Sequence, residues 1–211
     1  MRLYNAGLSP NALRVRAVAD ELGIELELVE VNLRDAAAKR DMLQGLNPNL
    51  KVPVLIDGDF VLWESRAITA YLATLKPEAG LYPAEPRRRA IVDQWSYWHA
   101  VHLGPPMQRV NFERFMKGRF GMGAPDERAI EPQLKDLAQF LPVLDQGLAG
   151  KEWVAGELSL ADFGLATTFP YRDVVGISLD RLPNVVRWIA RLEARPSWQA
   201  AVAPIRAFIA G

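Results

Sequence analysis

The chain has 211 residues, half of them hydrophobic, with Lys plus Arg and Asp plus Glu balanced at 25 each. That is enough apolar material for one large core or two small ones, and a formal net charge of zero gives no bulk attraction for nucleic acid or an acidic membrane. There is no cysteine, and the only histidines are His99 and His102, which removes disulfides, protein thiolates, CxxC redox motifs and Cys-based metal sites and argues against any metal centre.

Residues 1–4 enter a strand directly instead of the apolar core of a signal peptide, and no run of about 18 apolar residues occurs, so a soluble, cytoplasmic protein is expected. Leu3 and Tyr4 form a short first strand. The polar turn NAGLSPN follows, then a helix over 12–22 that Gly23 stops. The alternating run ELELVEV predicts a second strand with one wet face, and 35–46 reads as a loosely amphipathic helix. Residues 52–56 are apolar and β-branched, lie between Asn-Pro-Asn and Asp-Gly-Asp, and predict a strand ending in a hairpin turn; 60–62 return as its partner. Pro53 at the start of that strand requires an edge, a bulge or a cis bond, and a cis bond would turn the backbone of Val52 outward to pair with an extended peptide. Ser65 stands where the next helix begins, with Ile68, Tyr71, Leu72 and Leu75 at helical spacing. Its N-terminus suits a carboxylate, so adjacent features ask for one small peptide with a free carboxylate.

The stretch KPEAGLYPAEPRRR, with three prolines and a glycine, marks a domain boundary between 1–77 and 88–211. Beyond it the strand signals stop. Arg87 to Arg89 read as a solvated helix start. Ile91, Trp95, Trp98, His102 and Leu103 trace one helix face, Pro105-Pro106 is expected to kink or end that helix, and 107–119 continue it before the break GMGAPDER. A helix follows over 127–147. Ser159 and Asp162 fit a capping box with Leu158 and Phe163 placed as its staple, and Leu182-Pro183 and Arg195-Pro196 open the last two helices.

KVPVL, a DG turn and ESRAI in this order resemble the glutathione-binding core of the glutathione S-transferase superfamily, and the match in element order extends over nearly the whole chain. The resemblance implies an α/β thioredoxin-like N-terminal domain and an all-α C-terminal domain. It implies no tightly bound cofactor and no metal, glutathione as co-substrate, a small hydrophobic electrophile as the other substrate, and a homodimer. GELSLADF resembles the N-capping box that the family carries in its helical domain.

Such an enzyme lowers the pKa of the glutathione thiol, about 8.5 for a free cysteine, so that thiolate is present at neutral pH. Ser9 resembles the thiol-donating serine of the theta and phi classes, with Arg14 and Val15 matching the Arg-Val pair that follows it. Tyr4 is the rival donor, and a helix-capping serine is the plainer reading of Ser9. Ser-Pro-Asn also resembles the Thr-Pro-Asn of nu-class members, which brings in Asn11 and the alternative of disulfide or peroxide reduction with two glutathiones. By the same resemblance, Val52 pairs with the cysteinyl unit beside cis-Pro53, Glu64 faces the γ-glutamyl ammonium and Ser65 its carboxylate, while Lys39 and Lys51 meet the glycyl carboxylate. Leu50 departs from the family, which often has Gly there. The electrophile is expected between the domains, against Trp98, His102, Pro106, Val110 and Phe115. A third reading is a non-catalytic binding or scaffold protein on the same fold.

Overall fold

The computed structural model describes all 211 residues, and the chain divides into two compact units, 1–82 with 195–211 and 83–194.

In the first unit, β1 (Arg2–Asn5) pairs in parallel with β2 (Glu27–Glu30) and antiparallel with β3 (Val54–Asp57), which pairs antiparallel with β4 (Phe60–Trp63), giving the order β2-β1-β3-β4. Asp57 pairs with Phe60, so the β3–β4 hairpin closes over Gly58 and Asp59, and Gly58 at φ 62° supplies the left-handed residue that the turn needs. Helix α1 (Pro10–Glu21) starts two residues earlier than its apolar pattern predicts, because proline with its fixed φ suits a first helical position. Helix α2 (Ala36–Leu43), capped by Asp35, and α3 (Ser65–Leu75) complete the thioredoxin-like set. Leu3, Leu55, Leu13, Val15, Ile68 and Leu72, none with any exposed surface, form the core between sheet and helices.

The division of the chain differs from the sequence expectation at its end. The last helix, here α10 (Pro196–Ala210), belongs to the first unit and packs on α1. Glu21 anchors it, accepting from Arg195 Nε at 3.0 Å and from the Ser197 hydroxyl at 2.5 Å.

The second unit is helical throughout: α4 (Pro86–Trp98), α5 (Gly104–Asn111), α6 (Lys117–Arg119), α7 (Glu127–Gly147), α8 (Leu160–Ala166) and α9 (Pro183–Glu193). Pro105 and Pro106 do not end the first long helix. A π-helical turn over His99–Leu103 precedes them, and α5 then begins with the prolines in its first turn, where the missing N–H groups cost little. Gly104 permits that turn, since a Cβ there would stand 2.7 Å from the carbonyl oxygen of His99. A second π-helical turn over Phe112–Met116 carries the chain on into α6.

The capping box forms as the sequence predicts. Asp162, fully buried, accepts from the Ser159 N–H and hydroxyl, both at 3.0 Å, and also from Val154 N–H and Trp188 Nε1, both at 2.9 Å. Burial pushes its carboxyl up to about 6 against the pull of these four donors.

Candidate active site

Ser9 is the N-cap of α1 and accepts from Ala12 N–H at 3.3 Å. The plainer reading of this residue is therefore realised, and it is compatible with chemistry: a hydroxyl that accepts through a lone pair still has its O–H to donate. Two residues on, Asn11 is drawn inward. Its Oδ1 accepts from Arg14 at 3.1 Å and faces the Ser65 hydroxyl at 3.4 Å, while Arg14 also donates to Ser65 Oγ at 2.5 Å.

The first turns of α1 and α3 thus meet at one guanidinium, Arg14 standing 51 residues before Ser65 in sequence. Arg14 is 2% exposed and Ser65 is 5% exposed. Burial lowers the pKa of Arg14, neighbouring Arg66 adds to the effect and Glu64 opposes it. Arginine keeps its charge inside proteins. A buried cation with hydroxyl and amide partners, beside two helix N-termini, is an arrangement favourable to an anion.

At α3 the N-cap is Glu64, whose side chain makes no capping bond and whose backbone stands at φ 72°, ψ 111°. Ser65 is therefore the first helical residue, not the cap. A non-glycine residue at positive φ costs of order 1 kcal/mol and marks a conformation that the surroundings impose. The exposed Glu64 side chain and the open first turn of α3 remain available to a ligand.

The Val52-Pro53 bond is cis, as the sequence predicts. Val52 is buried in a small cluster with Ala6, Val31, Leu43 and Val54, and neither its N–H nor its C=O is paired with another backbone group. The loop before it is built on buried Asn47, which donates Nδ2 to the Lys51 carbonyl at 2.8 Å and accepts from Asn49 N–H at 2.9 Å. Leu50 in this loop stands at φ 51°, so the left-handed conformation that a glycine would supply is kept with leucine in its place. Lys51 is exposed and Lys39 half-buried; no ion pair or hydrogen bond joins either to the Ser9, Asn11 and Ser65 group.

In the second unit, Trp98 packs edge-on against Trp95 at 5.2 Å and against Phe140 at 6.2 Å, and His102 lies 5.2 Å from Phe140. His102 is exposed and Trp98 half-buried. Pro106 and Val110, four residues apart on one helix face, are buried, Val110 completely, and present no surface to a substrate. Phe115 packs instead on Tyr171 at 5.7 Å.

Comparison with known proteins gives the family. Residues 1–74 match the family Glutathione S-transferase, N-terminal domain, and residues 101–196 match Glutathione S-transferase, C-terminal domain. The chain is 36% identical to glutathione S-transferase 3 of Zea mays over 97% of its own length and 94% of that protein, and 31% identical to glutathione S-transferase D7 of Drosophila melanogaster over 93% and 86%. Among solved structures it resembles maize glutathione S-transferase I in complex with an atrazine glutathione conjugate, with a TM-score of 0.88 at 29% identity over 97% of both chains. A delta-class enzyme from Nilaparvata lugens gives a TM-score of 0.83 at 30% identity over 98% of this chain and 95% of that one. The chain belongs to the glutathione S-transferase family. It is an enzyme that uses glutathione as co-substrate without a tightly bound cofactor.

Sequence reasoning quoted Arg14 only as half of a matching pair. Its burial leaves one local signal, a basic residue set among Ala12, Leu13, Val15, Ala17 and Val18.

Proposed function

We propose that this enzyme conjugates the glutathione thiolate to a hydrophobic electrophile, with Ser9 as the thiol donor. The observation that supports the reading is the meeting of α1, the helix that Ser9 caps, and α3 at buried Arg14, which donates to Asn11 Oδ1 and to the Ser65 hydroxyl.

In this reading the γ-glutamyl carboxylate takes the open N-terminus of α3 at Ser65 and the ammonium takes Glu64. The cysteinyl unit pairs with the N–H and C=O of Val52 beside Pro53, and Lys39 and Lys51 serve the glycyl end. The thiol proton leaves to solvent, and the Ser9 O–H donates to the sulfur. The thiolate then attacks the electrophilic carbon: an S–C bond forms and the leaving group departs with its electron pair, or the added electrons are protonated where no group leaves. Asn11 holds Arg14 and Ser65 through its Oδ1, which favours a supporting role over the sulfur chemistry of nu-class enzymes.

The active form is a cytoplasmic homodimer. No helix is long and apolar enough to cross a membrane. Edge strand β4 exposes Phe60 (45%) and Trp63 (37%), apolar surface that an unpaired edge would otherwise offer to aggregation and that a second copy of the chain would cover. Phe60→Glu is expected to give a monomer by light scattering.

Calorimetric titration with reduced glutathione tests the main reading. One molecule per subunit is expected, two would transfer the assignment to disulfide or peroxide reduction, and no binding would leave a scaffold.

A further inference from the structure

Ser9 stands at the end of an irregular loop, residues 6–8, that follows β1 and has no strand or helix ladder to fix its backbone. Its polar groups are instead held by side chains from outside it. Arg16, in the second turn of α1, donates through Nη1 to Asn5 Oδ1 at 2.5 Å and Ala6 O at 3.5 Å, and through Nη2 to Gly7 O at 3.1 Å and Ala201 O of α10 at 2.9 Å. Asn5, 3% exposed, passes the contact on by donating Nδ2 to Glu30 Oε2 at 2.6 Å, and the other Glu30 oxygen accepts from Gly7 N–H at 2.8 Å. Ser9 N–H closes the loop on Ala6 O at 2.9 Å. Pro204 of α10 crowds Gly7, where a Cβ would stand 3.3 Å from the proline Cβ and would need the proline to give by a few tenths of an ångström. A cation and an anion, joined through one amide, thus grip both sides of the loop.

We propose that Arg16 is a positioning residue for the reaction: with Asn5, Glu30 and the carbonyl of Ala201 it fixes the backbone on which Ser9 stands, and thereby sets how well the Ser9 hydroxyl meets the thiolate. This inference rests on Ser9 being the thiol donor. The physical ground is that a hydrogen bond weakens steeply with distance and angle, and that displacements well below a residue's width lower rates strongly. Arginine suits the task because its planar fork serves four acceptors at once, which the point charge of a lysine does not.

The test is the pH profile of kcat/KM for glutathione with an activated aryl halide, measured on wild type, Arg16→Lys, Arg16→Met, Ser9→Ala and the Arg16→Met/Ser9→Ala double variant. Arg16→Met is expected to lower the acidity of the bound thiol about tenfold, with Arg16→Lys between it and wild type and with KM for glutathione changed less than about twofold. In the Ser9→Ala background the Arg16 change should add nothing. Glu30→Gln, on an exposed side chain, loses one of the two acceptor oxygens and should move the profile in the same direction; it serves if Arg16→Met does not fold. Profiles of the Arg16 and Glu30 variants that superimpose on wild type, with only a lower melting temperature, would overturn the inference, and so would an equal shift with and without Ser9. Should Ser9→Ala itself leave the thiol acidity unchanged, the Ser9 assignment falls and this inference with it; a shift in Ser9→Ala alone removes only the role of Arg16.

Discussion

At the start of α8, Ser159 and Asp162 satisfy one another and the donors around them, and the cap is sealed from water. At the start of α3, Glu64 is held at φ 72° with no side-chain cap, and the first turn is left open beside buried Arg14. Both are helix N-termini with the same four orphan N–H groups. One spends its side chains on its own donors and stabilises the fold, while the other makes no side-chain capping bond, as the proposed seat of the γ-glutamyl carboxylate requires. Capping chemistry therefore distinguishes the two helix starts within one chain.

The largest effect is expected on the sealed side. Asp162→Ala would leave Val154 N–H, Ser159 N–H and Trp188 Nε1 buried without their acceptor, at about 1–3 kcal/mol each before relaxation, so a loss of about 3 kcal/mol or more should appear in the denaturant midpoint. A loss below about 1 kcal/mol would mean that the cap is not the anchor described here.

Ser65→Ala probes the open side. Glutathione affinity by calorimetry should fall about tenfold to a hundredfold, while stability falls less, because Arg14 keeps Asn11 as a partner. If the two variants lost stability equally and Ser65→Ala bound glutathione normally, the contrast between the two helix starts would be broken.

Ser9→Ala should lower kcat/KM about tenfold with glutathione affinity within about twofold, and cost about 1 kcal/mol of stability as a lost cap. Equal activity would shift the donor role to backbone amides.

A smaller effect concerns pH. The Asp162 carboxyl titrates near about 6 when folded, above its ordinary value of 3.8. The folded state thus holds this proton more tightly than the unfolded chain, so its contribution to stability is full below about 4 and is lost as the pH rises through about 6. The stability gap between wild type and Asp162→Asn should accordingly narrow from pH 4 to pH 6; a constant gap would show that this carboxyl does not titrate there.

The sequence revealed those parts of the molecule whose cause is local. Gly58 in its hairpin, Pro183 and Pro196 at the first turns of α9 and α10 and the Ser159–Asp162 pair each act within a few residues, and each stands where the spacing put it. Long-range causes were hidden. Nothing near Arg14 or Arg16 in sequence announces that Ser65 waits 51 residues away or Ala201 185 residues away. The π-helical turns escaped for a related reason: they depend on Gly104 lying against His99 and on where the long helix must aim its faces, and the apolar period does not record one extra residue in a turn.

The placement of α10 on α1 bears on how the chain is made. Residues 83–194 are contiguous, and all of that unit has been synthesised before residues 195–211 are added. The first unit begins the chain and cannot close until α10 arrives to meet Glu21, Arg16 and Gly7. The domain translated first is therefore the one completed last. During translation its α1 face waits uncovered, and the loop that carries Ser9 acquires its final support only when the last helix is delivered.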